Sequence, residues 1–189
     1  MEAFALSAVL IALAEIGDKS QLIALALAAR FRRRVAVAGG IALAALASHA
    51  LAGVVGVWLA SHVADGMLRI IIAVGFFGMA LWMLWPEADD ADTPPETPGL
   101  ARSALLATLV LFFVAELGDK TQLATVGLAA RFEDASLAVI GGSALGMTLV
   151  NVPVIWLGHR YATRLPVQML HRVSAALLAV LGLLTLWLG

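Results

Sequence analysis

The 189-residue chain contains no cysteine, which excludes disulfides, thiolate metal ligation and a cysteine nucleophile. Charge is scarce too: Asp, Glu, Lys and Arg together make up 13% of the residues, against roughly 25% in an average globular chain. The formal net charge is −1 and there is no basic stripe or tail, so nucleic-acid binding has no electrostatic footing. What is present is apolar, 62% of the sequence, in several runs that exceed the roughly 20 helical residues needed to cross a bilayer core of about 30 Å. The chain reads as a polytopic membrane protein. Its first run begins Met1-Glu2 with no basic region and carries carboxylates within it, unlike a cleaved signal peptide, and is expected to be a retained span.

The pattern predicts an all-α protein with six transmembrane helices, at 3–30, 35–60, 66–85, 103–131, 137–158 and 168–188. Long runs of Ala, Leu, Val and Gly suit helices; barrel strands would alternate in pieces of about 10 residues. Residues 86–101 break the series, with three prolines and five acidic residues in the first eleven positions. That composition neither buries apolar area nor propagates a helix, so a flexible acidic linker is expected.

The linker separates two related halves, 1–85 and 102–189. Glu15 matches Glu116 at an offset of 101, and at 102 His49 matches Asn151, Gly39-Gly40 matches Gly141-Gly142, and Trp85 matches Trp187. Three spans per half is an odd number, so the second half would enter the membrane from the opposite face, giving two inverted-topology repeats. Arg30, Arg32, Arg33, Arg34, Arg102, Arg160, Arg164 and Arg172 fall on one side, and only Arg69 and Arg131 on the other. The basic side is expected to be cytoplasmic, which places the acidic linker inside and both termini outside.

The chemistry lies in a polar cluster that occurs twice, AEIGDKSQL at 14–22 and AELGDKTQL at 115–123. Glu15 lies about twelve residues into its span, roughly 18 Å along a helix and close to mid-membrane. Ionisable groups at that depth are costly and need partners, water or an ion. On a continuous helix Glu15, Asp18 and Lys19 would share a face, flanked by Gln21, and Glu116, Asp119, Lys120 and Gln122 would repeat the pattern. Gly17 and Gly118 permit close helix approach or a local unwinding.

Were the two faces to meet, they would form a cage of four carboxylates, two amides and the hydroxyls of Ser20 and Thr121. Such oxygen donors suit hard divalent cations, Ca²⁺, Mn²⁺ or Mg²⁺. Four carboxylates less two lysines leave a charge of −2, matching one divalent ion or two protons. A low dielectric favours the uncharged carboxyl, so the same acids would load protons as the metal leaves, giving metal/proton antiport by alternating access. His49 and Asn151, mid-span mates, would complete the shell, relay a proton or simply join helices, and a His49 nitrogen would tilt the site towards Mn²⁺. Gly39, Gly40, Gly141, Gly142 and Gly146 are read as close-packing positions. His62, His159 and His171, with Trp82, Trp85, Trp156 and Trp187, are read as interfacial. Three competing readings are a structural Glu15–Lys19 ion pair, a membrane scaffold and an intramembrane aspartyl protease. The protease requires Gly where Glu15 and Glu116 stand, and the lysine after each aspartate opposes proton sharing.

The paired motifs EIGDKS at 15–20 and ELGDKT at 116–121 resemble the signature of the GDT-type cation/proton exchanger family, which includes bacterial manganese exporters and Golgi calcium/manganese transporters. The resemblance covers essentially the whole chain. It implies a transporter with no enzymatic activity and no cofactor, whose transported species are a divalent cation and protons. It implies Glu15, Asp18, Glu116 and Asp119 as metal ligands, with Ser20, Gln21, Thr121 and Gln122 in or near the shell. Lys19 and Lys120 are left open as second-shell groups or proton relays: tethered counter-ions that replace the metal when the site empties, or side chains that point away. The same resemblance implies a bacterial inner membrane. The short bacterial form points to Mn²⁺ export, with Ca²⁺/H⁺ or broad divalent exchange as the alternative.

Overall fold

A computed structural model of the chain describes residues 1–85, 103–157 and 167–188. The linker expected at 86–101, Arg102, His159, Arg160 and Arg164 lie outside the described residues. All regular structure among the described residues is helical: α1 (Glu2–Glu15), α2 (Lys19–Phe31), α3 (Arg34–His62), α4 (Asp65–Leu84), α5 (Ala104–Ala115), α6 (Lys120–Arg131), α7 (Ser136–Leu157) and α8 (Val167–Leu188), with a short 3-10 turn at Glu133–Ala135. Residues 34–62, 65–84 and 133–157 are long and apolar enough to cross a membrane, and 104–115 and 171–187 form shorter apolar helices.

The first and fourth expected spans are not continuous helices. Each breaks at its polar cluster, into α1 and α2 and into α5 and α6. Residues 15–18 form a type II turn: Ile16 is extended at φ −67° and ψ 118°, Gly17 has φ 82°, and Asp18 N–H donates to the Glu15 carbonyl at 3.1 Å. That turn requires positive φ at its third position, which glycine supplies without steric cost. The second copy closes the same way, with Gly118 at φ 78° and Asp119 N–H bonded to the Glu116 carbonyl at 3.2 Å. Each aspartate then caps the helix that follows: Asp18 accepts from Lys19 N–H at 2.7 Å and Asp119 from Thr121 N–H at 3.4 Å. Glu, Asp and Lys are therefore brought together by a turn rather than by the helical arc that an unbroken span would give.

The halves interlock. α1 packs along α7, and α3 along α5, so each broken helix lies against an intact helix from the other half; α4 packs on α8. One pair of close approaches is related by exchange of the halves. A Cβ on Gly40 would lie 2.8 Å from the Leu105 carbonyl oxygen, and one on Gly142 would overlap the Phe4 carbonyl oxygen. Without a hydrophobic drive between helices in lipid, small residues that let backbones touch supply the packing. Gly39 and Gly141 make only ordinary contacts, with Leu105 and Phe4. The tryptophans Trp82, Trp85, Trp156 and Trp187 are exposed near helix ends.

Candidate metal centre

The two turns face one another across the bundle, and the four carboxylates they carry are buried. Carboxylate oxygens of Glu15, Asp18 and Asp119 all lie within 4.8 Å of one another. Asp18 and Asp119 are N-caps, so two of these carboxylates sit at the positive ends of half-helices. Glu116 stands outside the trio, with both oxygens buried and lacking a hydrogen-bond partner.

The remaining residues of the motif fall into distinct positions. Ser20 Oγ donates to Glu15 Oε2 at 2.6 Å, and Asn151 Nδ2, from α7, donates to the same oxygen at 3.1 Å. Thr121, the mate of Ser20, turns instead to Asp119 Oδ2 at 3.3 Å. Gln21 and Gln122 serve the turns themselves: Gly17 N–H donates to Gln21 Oε1 at 3.2 Å and Gly118 N–H to Gln122 Oε1 at 2.7 Å. Their amide oxygens, anticipated in or near the ligand shell, are thus engaged in holding the glycine backbone. Gln122 Nε2 also donates to Ser48 Oγ on α3 at 3.1 Å.

The lysines cross between halves. Lys120 Nζ lies 3.1 Å from Asp18 Oδ2, and Lys19 Nζ 3.9 Å from Asp119 Oδ1. The Glu15–Lys19 pair weighed as a purely structural alternative does not form among the described ion pairs, because the turn removes the helical spacing it needed. His49 Nδ1 lies 2.8 Å from Thr125 Oγ1, and the same hydroxyl lies 3.0 Å from the Thr121 carbonyl and 3.1 Å from Ser143 Oγ. That ring joins α3 to α6, while its mate Asn151 reaches the carboxylate cluster.

Sequence reasoning missed His171. Its place at a span end suggests the interface, yet its Nε2 lies 3.1 Å from the Ile16 carbonyl within the first turn. No spacing rule could have found it, since α8 reaches the turn only through tertiary packing. His62 is exposed at the end of α3 and stacks on Trp58 at 4.9 Å between ring centroids.

Residues 3–91 and 104–189 match the family model described as divalent cation/proton antiporter GDT1. A Vibrio cholerae protein named "Putative manganese exporter" is 41% identical over 185 residues, covering 98% of this chain and 90% of the relative. GDT1-like protein 5 of Arabidopsis thaliana is 25% identical, with 98% of this chain and 96% of the relative covered. A GDT1-like protein of Synechocystis is 28% identical, covering 99% and 98%. No solved structure matches the chain.

Proposed function

Because the chain belongs to the GDT1 family of divalent cation/proton antiporters, and is therefore a membrane transporter and not an enzyme, we propose that it exports Mn²⁺ in exchange for protons through the carboxylates at its two helix breaks. The observation that carries this reading is the buried trio Glu15, Asp18 and Asp119, drawn from both halves within 4.8 Å. Three carboxylates so close have no structural use that an apolar packing would not serve more cheaply. They are the donor type that a hard divalent cation prefers.

Proton exchange follows from competition. A metal binds the deprotonated carboxylates, so protons arriving at the same oxygens expel it, and affinity falls as pH falls. Access from alternate sides rests on the inverted repeat, which the exchange-related contacts of Gly40 and Gly142 support. Two turns with matching glycine φ values support it further. The arginine distribution supports a cytoplasmic basic side. Glu116 enters this scheme as the fourth carboxylate, held ready beside the trio, with Ser20 and Asn151 orienting Glu15.

Mn²⁺ as cargo draws on the Vibrio relative's name. Ca²⁺ is the second reading, and one observation favours it: His49, whose nitrogen would have tilted selectivity towards Mn²⁺, is turned to Thr125, leaving an all-oxygen set.

The test is ion flux in proteoliposomes carrying a Mn²⁺- or Ca²⁺-sensitive dye, driven by an imposed pH gradient. Wild type should couple metal movement to the gradient, and Glu15→Gln and Asp119→Asn should each abolish it. Undiminished flux in either variant would overturn the site; a larger Ca²⁺ than Mn²⁺ signal would change the cargo.

A further inference from the structure

Local structure uses up one oxygen of each carboxylate in the trio. Asp18 Oδ1 accepts Lys19 N–H at 2.7 Å, and Asp119 Oδ2 accepts both the N–H and the hydroxyl of Thr121 at 3.4 and 3.3 Å. Glu15 Oε2 takes Ser20 and Asn151, while its Oε1 is buried without a hydrogen-bond partner. The trio's oxygens outside these hydrogen bonds are Glu15 Oε1, Asp18 Oδ2 and Asp119 Oδ1. Two of these three already face an ammonium, each from the opposite half: Lys120 at Asp18 Oδ2 and Lys19 at Asp119 Oδ1.

We propose that Lys19 and Lys120 are tethered stand-ins for the transported cation. A divalent ion gains its ligands by displacing them, and they return to the aspartates as it leaves. This rests on the reading of the trio as the transport site and adds a competitor built into the chain. Lysine suits the role, because its ammonium is a compact charge on a flexible stem. It can leave a carboxylate without moving the backbone that caps the helix. The crossed pairing also ties each aspartate to the other half, so binding a metal loosens two ionic links between halves at the moment when alternating access requires them to move. The two competitors are unequal here: the Lys120 side chain is 4% exposed and the Lys19 side chain 47%. Lys120 is the stronger rival in this conformation, and Lys19 stands at the open edge. Under an inverted repeat, the opposite conformation exchanges their places.

The test is Mn²⁺ binding to purified full-length protein in detergent at fixed pH, by titration calorimetry, with release followed by stopped flow. Lys120→Met keeps the length of the stem and removes the charge; it should bind Mn²⁺ about tenfold more tightly and release it correspondingly more slowly. Lys19→Met should tighten binding by only about threefold, because an exposed pair is screened. Lys120→Arg should return affinity towards wild type. A folded, monodisperse Lys120→Met protein with unchanged or weaker affinity would overturn the proposal. Should that variant fail to fold, Lys19→Met decides it, and unchanged affinity there is equally fatal. Glu15→Gln separates the two layers. If it leaves binding intact, the transport-site reading fails; if it abolishes binding while the lysine variants tighten nothing, only the stand-in role fails.

Discussion

The two halves carry nearly the same nine residues, 14–22 and 115–123, and they build the same backbone from them. Both make a turn with glycine near φ 80°, a glutamine holding the glycine N–H and an aspartate capping the next helix. Beyond the backbone they diverge. Glu15 is held by Ser20 and by Asn151, whereas the Glu116 oxygens have no hydrogen-bond partner and Thr121 turns to Asp119. The cause lies in the neighbours. α7 offers Asn151 to the first turn, but the corresponding residue of α3, His49, is drawn to Thr125, a hydroxyl that has only Ala24 as its mate in the first half. Local sequence determines the turn, and the packed helices decide which carboxylates the turn presents.

The strongest way to break this comparison is to remove the glutamates one at a time. Glu15→Gln should weaken Mn²⁺ binding by about 100-fold, since it takes one of three charged donors from the trio. Glu116→Gln should leave affinity within about threefold while slowing proton-driven exchange. Titration of both purified variants checks this, and equal losses in affinity would mean that all four carboxylates ligate and that the asymmetry carries no functional weight.

Next in size is a test of the frame that the halves share. Leucine at Gly40 or Gly142 would collide with Leu105 or Phe4 on the facing helix. Overpacking of this kind costs about 1–3 kcal/mol. Melting in detergent should fall by similar amounts for the two variants, while Gly39→Ala, whose added Cβ would meet Leu105 Cδ1 at 3.6 Å, should be tolerated. A large difference between Gly40 and Gly142 would remove the support that close packing lends to the inverted repeat.

Such contrasts show where sequence reasoning reached and where it stopped. The helical segments fall close to the apolar runs, because apolar length is a direct reading of helix in a membrane. The structure draws three of the repeated carboxylates together, but on a geometry other than the helical arc. A helical period fits Glu15, Asp18 and Lys19, but Glu-x-Gly-Asp also spells a type II turn with a capping residue at its end. Taking Gly17 as the third turn position would have revealed the break, and with it the duty of Gln21, whose oxygen can meet the Gly17 N–H only once the helix has opened. The crossing of Lys120 to Asp18 could not be read at all: the residues lie about a hundred positions apart and meet only when α1 and α2 dock against α5 and α6.

The turn glutamines offer a smaller, graded effect. Gln21→Leu and Gln122→Leu each leave a glycine N–H without its acceptor, for about 1 kcal/mol. Gln122 should cost more, because it also ties α6 to Ser48 and its bond to Gly118 is the shorter. Thermal melting ranks the pair, and metal affinity should follow in the same order, since a loosened turn misplaces its aspartate.

The finest test concerns the partner that makes the halves differ. Asn151→Ala removes one of two donors to Glu15 Oε2 but leaves Ser20 in place, so Mn²⁺ affinity should fall only about threefold, a little under 1 kcal/mol and in line with one neutral hydrogen bond. His49→Ala, at the matching position, loses its bond to Thr125 and touches none of the trio. It should lower melting while leaving affinity unchanged. Titration and melting of the two variants side by side check the contrast. If His49→Ala weakened metal binding as much as Asn151→Ala did, the imidazole would have to approach the carboxylates in another conformation of the transport cycle. The two mates would then alternate as partners of Glu15 and Glu116, and the difference between the halves would belong to one conformation rather than to the chain.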